Sequence, residues 1–129
     1  FLRTGVRVFA SSHTCLPVLR QFSRGRTLIN NGAAGMPNFR GERYGLATRI
    51  SGRASESALY RARRGSVFAE AIPLRYDVAA WERRFGQQWP SGSDAYRSYF
   101  ERIANGPAYA IEQAASRVPC LEDRVTSAG

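Results

Sequence analysis

The spacing of apolar residues changes once along the chain, and this change constrains the fold more than any other feature. Up to residue 75, apolar and polar residues alternate in short segments, which is typical of strands. From Asp77 onward, apolar residues recur every three or four positions, which is typical of amphipathic helices. Strands that are followed by helices indicate an α+β protein.

The first part of the chain is predicted to be strand-rich. Gly5–Ala10 alternates as a strand and leads into a polar loop, Ser11–Pro17. Leu19–Phe22 is interpreted as a short turn. Further strands are predicted over residues 27–30 and 44–51, and a hairpin over residues 57–64 and 66–75, around Gly65.

Three helices are predicted after the strands. Asp77 has the character of an N-cap for the first helix, and Ser93 or Asp94 of one for the second. Pro107 stands where the first position of a third helix is expected, and that helix is predicted to continue through Ser116. The second helix carries an apolar stripe that is expected to be core: Tyr96, Tyr99, Phe100 and Ile103.

These elements predict one partial domain over residues 1–129. Residues 1–75 form its strand-rich part, residues 76–118 its helical part, and residues 119–129 a tail. Because the chain opens with Phe1 and at once shows a strand-like pattern, an incomplete chain is expected.

Composition narrows the classes of protein. No apolar run approaches the roughly 20 residues that span a bilayer, so no membrane partner is expected. Cys15 and Cys120 are too few for a secreted disulfide framework, so a reduced, cytoplasmic protein is expected. All 19 basic residues are Arg, which points to compositional bias rather than to nucleic-acid binding. Residues 1–41 nevertheless contain six Arg and no acid, which indicates either an anionic ligand or a solvated basic face.

Two loops carry the candidate metal-binding and catalytic residues. The first holds His13, the only histidine, two positions before Cys15, directly after a predicted strand. A lone histidine is either a structural or surface residue or a ligand, and both His and Cys bind transition metals. The second loop, Asn30–Phe39, follows the next predicted strand, so the two loops are expected at the same edge of a sheet.

Two other interpretations of these loops are disfavoured. A phosphate-binding loop at Gly32 and Gly35 requires a helix directly after the glycines, whereas Pro37 follows here. A nucleophilic serine at Ser11 or Ser12 requires an acid to orient the histidine, and no acid precedes residue 42.

At these residues the chain resembles the calcineurin-like metallophosphoesterases. That family ends its metal motifs with Gly-His-x-His on a loop after a strand. Here Ser12 stands at the position of the Gly, His13 keeps the first His, and Cys15 replaces the second His.

The resemblance continues into the second loop. The family commonly has Asn-Pro-Gly-Ser after the next strand, and Asn30 and Gly32 match that motif. Asn31 and Ala33 depart from it. The longer strings SSHTCLP and NNGAAGMPNF, with the Trp- and Tyr-rich region that follows, resemble a bacterial branch of the family over most of the chain.

The resemblance implies the C-terminal half of a four-layer αββα sandwich that hydrolyses phosphoesters with Mn, Fe or Zn. His13 is then a metal ligand, and Cys15 is a second ligand or a spectator. The rim is shaped by four residues: Ser12, Asn30, Gly32 and Asn38. The family's earlier motifs, Asp-x-His, Gly-Asp-x-x-Asp and Gly-Asn-His followed by an acid, are absent from the chain. The implied partner is therefore a missing N-terminal part of the same domain, and the isolated chain is expected to hold an incomplete metal site and to be inactive.

Two functions of other classes stand beside this one. The first is a basic module that binds nucleic acid, although the interleaved basic and aromatic pattern of a known reading motif is absent. The second is a structural or interaction domain without a site. A bound transition metal would favour the hydrolase over both.

Overall fold

A computed structural model describes residues 4–115, which form six strands and three α-helices. The strands are β1 (Val8–Ser11), β2 (Val18–Phe22), β3 (Arg26–Asn30), β4 (Gly45–Ser51), β5 (Tyr60–Arg64) and β6 (Val67–Leu74). The helices are α1 (Val78–Gln88), α2 (Asp94–Asn105) and α3 (Ile111–Ala114). The α+β prediction is therefore confirmed at the level of fold class.

The strands form two three-stranded sheets. In the first sheet the order is β1-β3-β2, with β1 parallel and β2 antiparallel to β3. In the second sheet the order is β4-β6-β5, and both pairs are antiparallel. One buried apolar cluster joins the two sheets: Leu19, Ile29, Ala62 and Ala69. Because two of these residues come from each sheet, the sheets pack against each other through their inner faces.

A second buried cluster holds the C-terminal end of the described chain. Phe39, Tyr44 and Leu46 pack with Ala114 of α3. The side chain of Arg20 on β2 donates to the carbonyl oxygens of Ala114 (2.8 Å) and of its neighbour Gln113 (3.1 Å). These are the last carbonyls of α3, where a cation is favourable. The short helix is thereby fixed to the first sheet.

Local signals predicted several element ends correctly. The Asp77 carboxylate accepts from Ala80 N at 2.9 Å, and the Ser93 hydroxyl accepts from Tyr96 N at 3.2 Å, so both N-cap predictions are confirmed. The predicted hairpin is formed by β5 and β6, with Gly65 in the turn at φ 61°.

The first sheet differs from the prediction in two places. β1 begins at Val8 rather than at Gly5 and includes Ser11, for which the sequence predicts a loop. The turn predicted over Leu19–Phe22 is wrong, because these residues lie in β2 and pair with β3 through a tight connection. That connection places Arg24 in the left-handed region at φ 55°, a conformation that its residue type does not signal.

The third helix also differs from the prediction. It begins at Ile111 rather than at Pro107, since the segment before it is held against Phe39. Tyr109 O accepts from Arg40 N at 2.9 Å, and the rings of Phe39 and Tyr109 stack with centroids 6.2 Å apart. The predicted end at Ser116 and the predicted tail lie outside the described residues.

The apolar stripe of α2 is only partly core. Ile103 is buried, whereas Tyr99 is 49% exposed. Tyr96 and Phe100 stack on each other at 4.5 Å, and both contact Phe85 of α1. The two helices are therefore joined by an aromatic cluster of Phe85, Tyr96 and Phe100, whereas Tyr99 remains open to solvent. Within residues 4–115, none of the helices is long and apolar enough to cross a membrane.

Candidate functional site

The two loops predicted to carry the chemistry meet at one edge of the first sheet. In the parallel pair of β1 and β3, Ser11 stands opposite Asn30, and each is the last residue of its strand. The loops that follow the two strands therefore begin next to each other. We call residues 12–17 the first site loop and residues 31–38 the second site loop. The predicted proximity of these loops is confirmed.

Asn30 organises the first site loop through its side chain. The carboxamide nitrogen donates to the Ser11 hydroxyl at 2.9 Å and to the Ser12 carbonyl oxygen at 3.2 Å. The carboxamide oxygen accepts from the Thr14 hydroxyl at 3.0 Å and from Gly32 N at 2.7 Å. Because Asn30 is buried and its amide both donates and accepts, one side chain fixes this loop on both sides of His13.

The backbone of the first site loop adopts an uncommon conformation at two residues. His13 has φ 83° and Cys15 has φ 57°, both in the left-handed region that disfavours a side chain. The His13 side chain is exposed and the free thiol of Cys15 is half-buried. Backbone strain of this kind persists where surrounding contacts impose it, and it concentrates at functional sites.

Asn38 fixes the second site loop from within. Its carboxamide oxygen accepts from Ala33 N at 2.8 Å, and its nitrogen donates to Ala33 O at 2.7 Å and to Met36 O at 3.0 Å. The side chain is fully buried. Asn38 therefore shapes the loop as an internal brace, and a ligand at the loop surface would not touch it.

Gly32 is required where the two loops touch. Its φ is 69°, and a Cβ there would lie 2.9 Å from Pro17 Cδ and would overlap the Asn38 carboxamide oxygen. Any larger residue would separate the first site loop from the second. Ser12, by contrast, is exposed, and its backbone carbonyl makes the bond to Asn30.

Two residues from the helical part of the chain also hold the loops. The Arg102 guanidinium donates to the Cys15 carbonyl oxygen and, at 3.5 Å, to Pro37 O. The Tyr109 hydroxyl donates to Pro17 O at 2.9 Å. Sequence reasoning missed both residues, because each lies more than 60 positions from its partner and no local pattern announces the contact.

The alternative phosphate-loop reading finds no support in this geometry. The regular element that follows Gly35 is β4, so the glycines do not open a helix N-terminus.

The donors on the first site loop fit a transition metal in part. An exposed imidazole at His13 and a thiol at Cys15 are both ligand groups of the right kind. Within residues 4–115, no three His, Cys, Asp or Glu side chains form a group that could hold a metal ion. This loop can therefore contribute ligands to a metal site, and further donors are needed to complete one.

The chain was compared with protein families, curated proteins and solved structures. No protein family, no curated protein and no solved structure matches the chain significantly. The two site loops and their hydrogen bonds are therefore the basis for a functional conclusion.

Proposed function

We propose that this chain forms the C-terminal half of a metal-dependent phosphoesterase and that His13 is one of its metal ligands. The observation that carries the proposal is the register of β1 with β3, which sets Ser11 beside Asn30. It brings the His13 loop into contact with the Asn30–Gly32 segment. These are the two motifs through which the sequence resembles the calcineurin-like metallophosphoesterases.

The hydrogen bonds around His13 support a ligand role. Asn30 holds the residues on both sides of His13, namely Ser12 through its carbonyl and Thr14 through its hydroxyl. The imidazole itself stays exposed. A ligand must be placed accurately while its lone pair remains free, and a braced loop with an exposed imidazole meets both requirements.

The chemistry of the proposed site is phosphoester hydrolysis. Divalent ions, when bound, lower the pKa of a bound water and polarise the phosphoryl oxygens. In this chain, His13 would donate a neutral imidazole lone pair to such an ion. Cys15 would be a spectator, since its half-buried position and the bond from Arg102 to its carbonyl hold it against the loops.

The fold supports the larger architecture implied by the resemblance. Two packed sheets with helices are the expected inner layers and part of one outer layer of an αββα sandwich. Among the described residues, β1 is an edge strand of the first sheet, and the chain continues from β1 into the loop of His13. We propose that strands from an N-terminal part of the same domain continue this sheet and supply the carboxylate ligands.

The gene upstream of Phe1 and the activity of its complete product test the proposal. We expect an open frame that encodes Asp-x-His and Gly-Asn-His, and a product that hydrolyses a generic phosphodiester with Mn²⁺ and is inhibited by EDTA. The 129-residue chain assayed alone should show no such turnover, because two-metal catalysis needs several ligands per ion. A complete gene product without the Asp-x-His and Gly-Asn-His motifs, or metal-dependent turnover by the 129-residue chain itself, would overturn the proposal of a divided site.

A further inference from the structure

An apolar pocket lies between α1, α2 and the second site loop. Its volume is about 160 Å³, and its wall exposes only apolar atoms. Six residues line it: Met36, Trp81, Phe85, Trp89, Tyr99 and Ile103. Trp89 and Tyr99 are 40% and 49% exposed, so the pocket is open to solvent on that side.

The pocket adjoins the first site loop through one side chain. Tyr99 and Ile103 line the pocket, and Arg102, which follows Tyr99 by three positions on α2, donates to the Cys15 carbonyl oxygen. Met36 belongs to the second site loop and precedes Pro37, the second acceptor of Arg102. Arg102 therefore lies next to two pocket-lining residues along the chain and is bonded to both site loops.

The size and the wall of the pocket select an aromatic ring. An apolar protein cavity of about 150 Å³ accommodates benzene, so the present volume suits one six-membered ring. Indole, phenyl and phenol rings in the wall favour an aromatic guest through edge and stacking contacts. The open side at Trp89 and Tyr99 gives such a guest an entry path.

We propose that this pocket binds the aromatic ring of an aryl or arylalkyl phosphoester, with the phosphate group directed past Arg102 toward His13. The inference rests on the proposed function and adds the class of substrate. The positive charge of Arg102 beside the pocket suits an anionic group at that end of the ligand.

The chain contains few Trp and His residues, so their NMR signals can each be assigned to one part of the site. Both of its tryptophans line the pocket, and His13 is its only histidine. Two indole N–H signals therefore report on the pocket, and one imidazole signal reports on the first site loop. The probes are phenol, phenyl phosphate, the longer 2-phenylethyl phosphate, and inorganic phosphate as the ion without a ring.

We expect phenol to shift both indole signals saturably and to leave His13 unchanged. At least one of the two phosphate esters should shift both indoles and also His13, and it should compete with phenol. Inorganic phosphate should not displace phenol. Tyr99→Ala should weaken phenol binding about tenfold by removing apolar contact area, and Tyr99→Phe should preserve it. Ile50→Ala, at an equally exposed apolar residue on the second sheet, is the control and should bind as the unaltered chain does.

The possible outcomes separate this inference from the proposed function. Unchanged indole signals with phenol, or equal binding by Tyr99→Ala and the unaltered chain, would overturn the pocket assignment. Indole shifts without any His13 shift for both phosphate esters would overturn the role of the pocket in substrate binding. Phenol binding needs neither metal nor hydrolysis, so failure of the complete gene product to hydrolyse phosphoesters would refute the proposed function and leave the binding result intact.

Discussion

Two buried polar networks brace loops in this protein, and they differ in whether a potential ligand group remains exposed. Around Asn30, neutral amide bonds hold a strained loop whose His13 side chain remains exposed. On the outer face of the second sheet, Glu70 is fully buried and is bonded by Arg49 (2.6 Å), Arg61 (3.4 Å) and the Ser55 backbone N–H (2.8 Å). The second network is closed, since its donors and acceptors satisfy one another.

The difference distinguishes a candidate site from a structural clamp. Arg49 also donates to Arg53 O at 2.7 Å, and Arg61 donates to Ser55 O at 2.5 Å, so both guanidiniums hold the loop of residues 52–58 onto the sheet. None of the non-glycine residues with positive φ lies in that loop. A buried charge therefore need not mark function, whereas a braced and strained loop with a free ligand group is a reason to look for one.

Gly32→Ala should produce the largest effect, because it breaks the contact between the two site loops. The substitution places a Cβ against Pro17 and Asn38 in a backbone conformation that disfavours it. We expect a loss of about 4 kcal/mol in the free energy of unfolding, measured with urea. Gly35→Ala, where an added Cβ meets no atom of the described part of the chain within 4 Å, should change it by less than about 0.5 kcal/mol. Equal effects of the two substitutions would show that the loops are not packed as described.

Asn30→Asp should be nearly as costly, because a carboxylate cannot donate to the Ser12 carbonyl. A buried charge would then face an acceptor, for which we expect a loss of about 3 kcal/mol. The imidazole resonance of His13 should also move, since the loop on both sides of it is released. Gln87→Glu, an exposed amide-to-acid change on α1, should affect neither quantity. An unchanged His13 resonance in Asn30→Asp would show that the Asn30 hydrogen bonds do not fix the position of His13.

Glu70→Gln tests the closed network. The amide keeps the volume but weakens the bonds to Arg49 and Arg61, whose side chains are 39% exposed and so are partly screened. We expect a loss of about 2 kcal/mol, with no change at His13. Glu56→Gln, an exposed glutamate in the same loop, should be neutral. A response of the His13 resonance to Glu70→Gln would mean that the two networks are coupled.

Tyr60→Phe should have the smallest effect and should depend on pH. Burial, together with Tyr109 and Tyr44, raises the pKa of Tyr60 above its usual value of 10, while Arg20 opposes the rise. The folded protein then keeps this proton where the unfolded chain loses it, so stability is fully present below about pH 10 and falls as pH rises further.

The comparison is made by urea unfolding of both proteins at pH 7 and at pH 11. Within residues 4–115 the buried Tyr60 hydroxyl has no hydrogen-bond partner, so Tyr60→Phe should be neutral or up to about 1 kcal/mol stabilising at pH 7. At pH 11 it should lose less stability than the unaltered chain. Parallel losses in the two proteins would contradict the raised pKa of Tyr60.

The features that the sequence predicted correctly depend on neighbouring residues. The N-caps at Asp77 and Ser93 and the turn at Gly65 are set by short-range bonds and by the conformational freedom of glycine. The meeting of the two site loops was also predictable, because loops that follow adjacent parallel strands leave at one edge.

The features that it missed depend on distant partners. The sequence predicts a turn where β2 lies, because only the pairing of β2 with β3, through a left-handed Arg24, makes this segment a strand. The third helix begins late because Tyr109 is bound to Arg40 and Phe39. The role of Arg102 depends on the carbonyl of Cys15, 87 residues away, and residue-type patterns carry no signal for such a contact.

Metal content and phosphodiester hydrolysis of His13→Ala and Cys15→Ser, measured in the product of the complete gene, test the central claim most directly. If His13 is a ligand and Cys15 a spectator, His13→Ala should lose bound metal and at least about 100-fold in kcat/KM. Cys15→Ser should keep its metal and most of its activity. Equal losses in both variants would make Cys15 a ligand as well, and unchanged metal and activity in His13→Ala would contradict the assignment of this loop as part of a metal site.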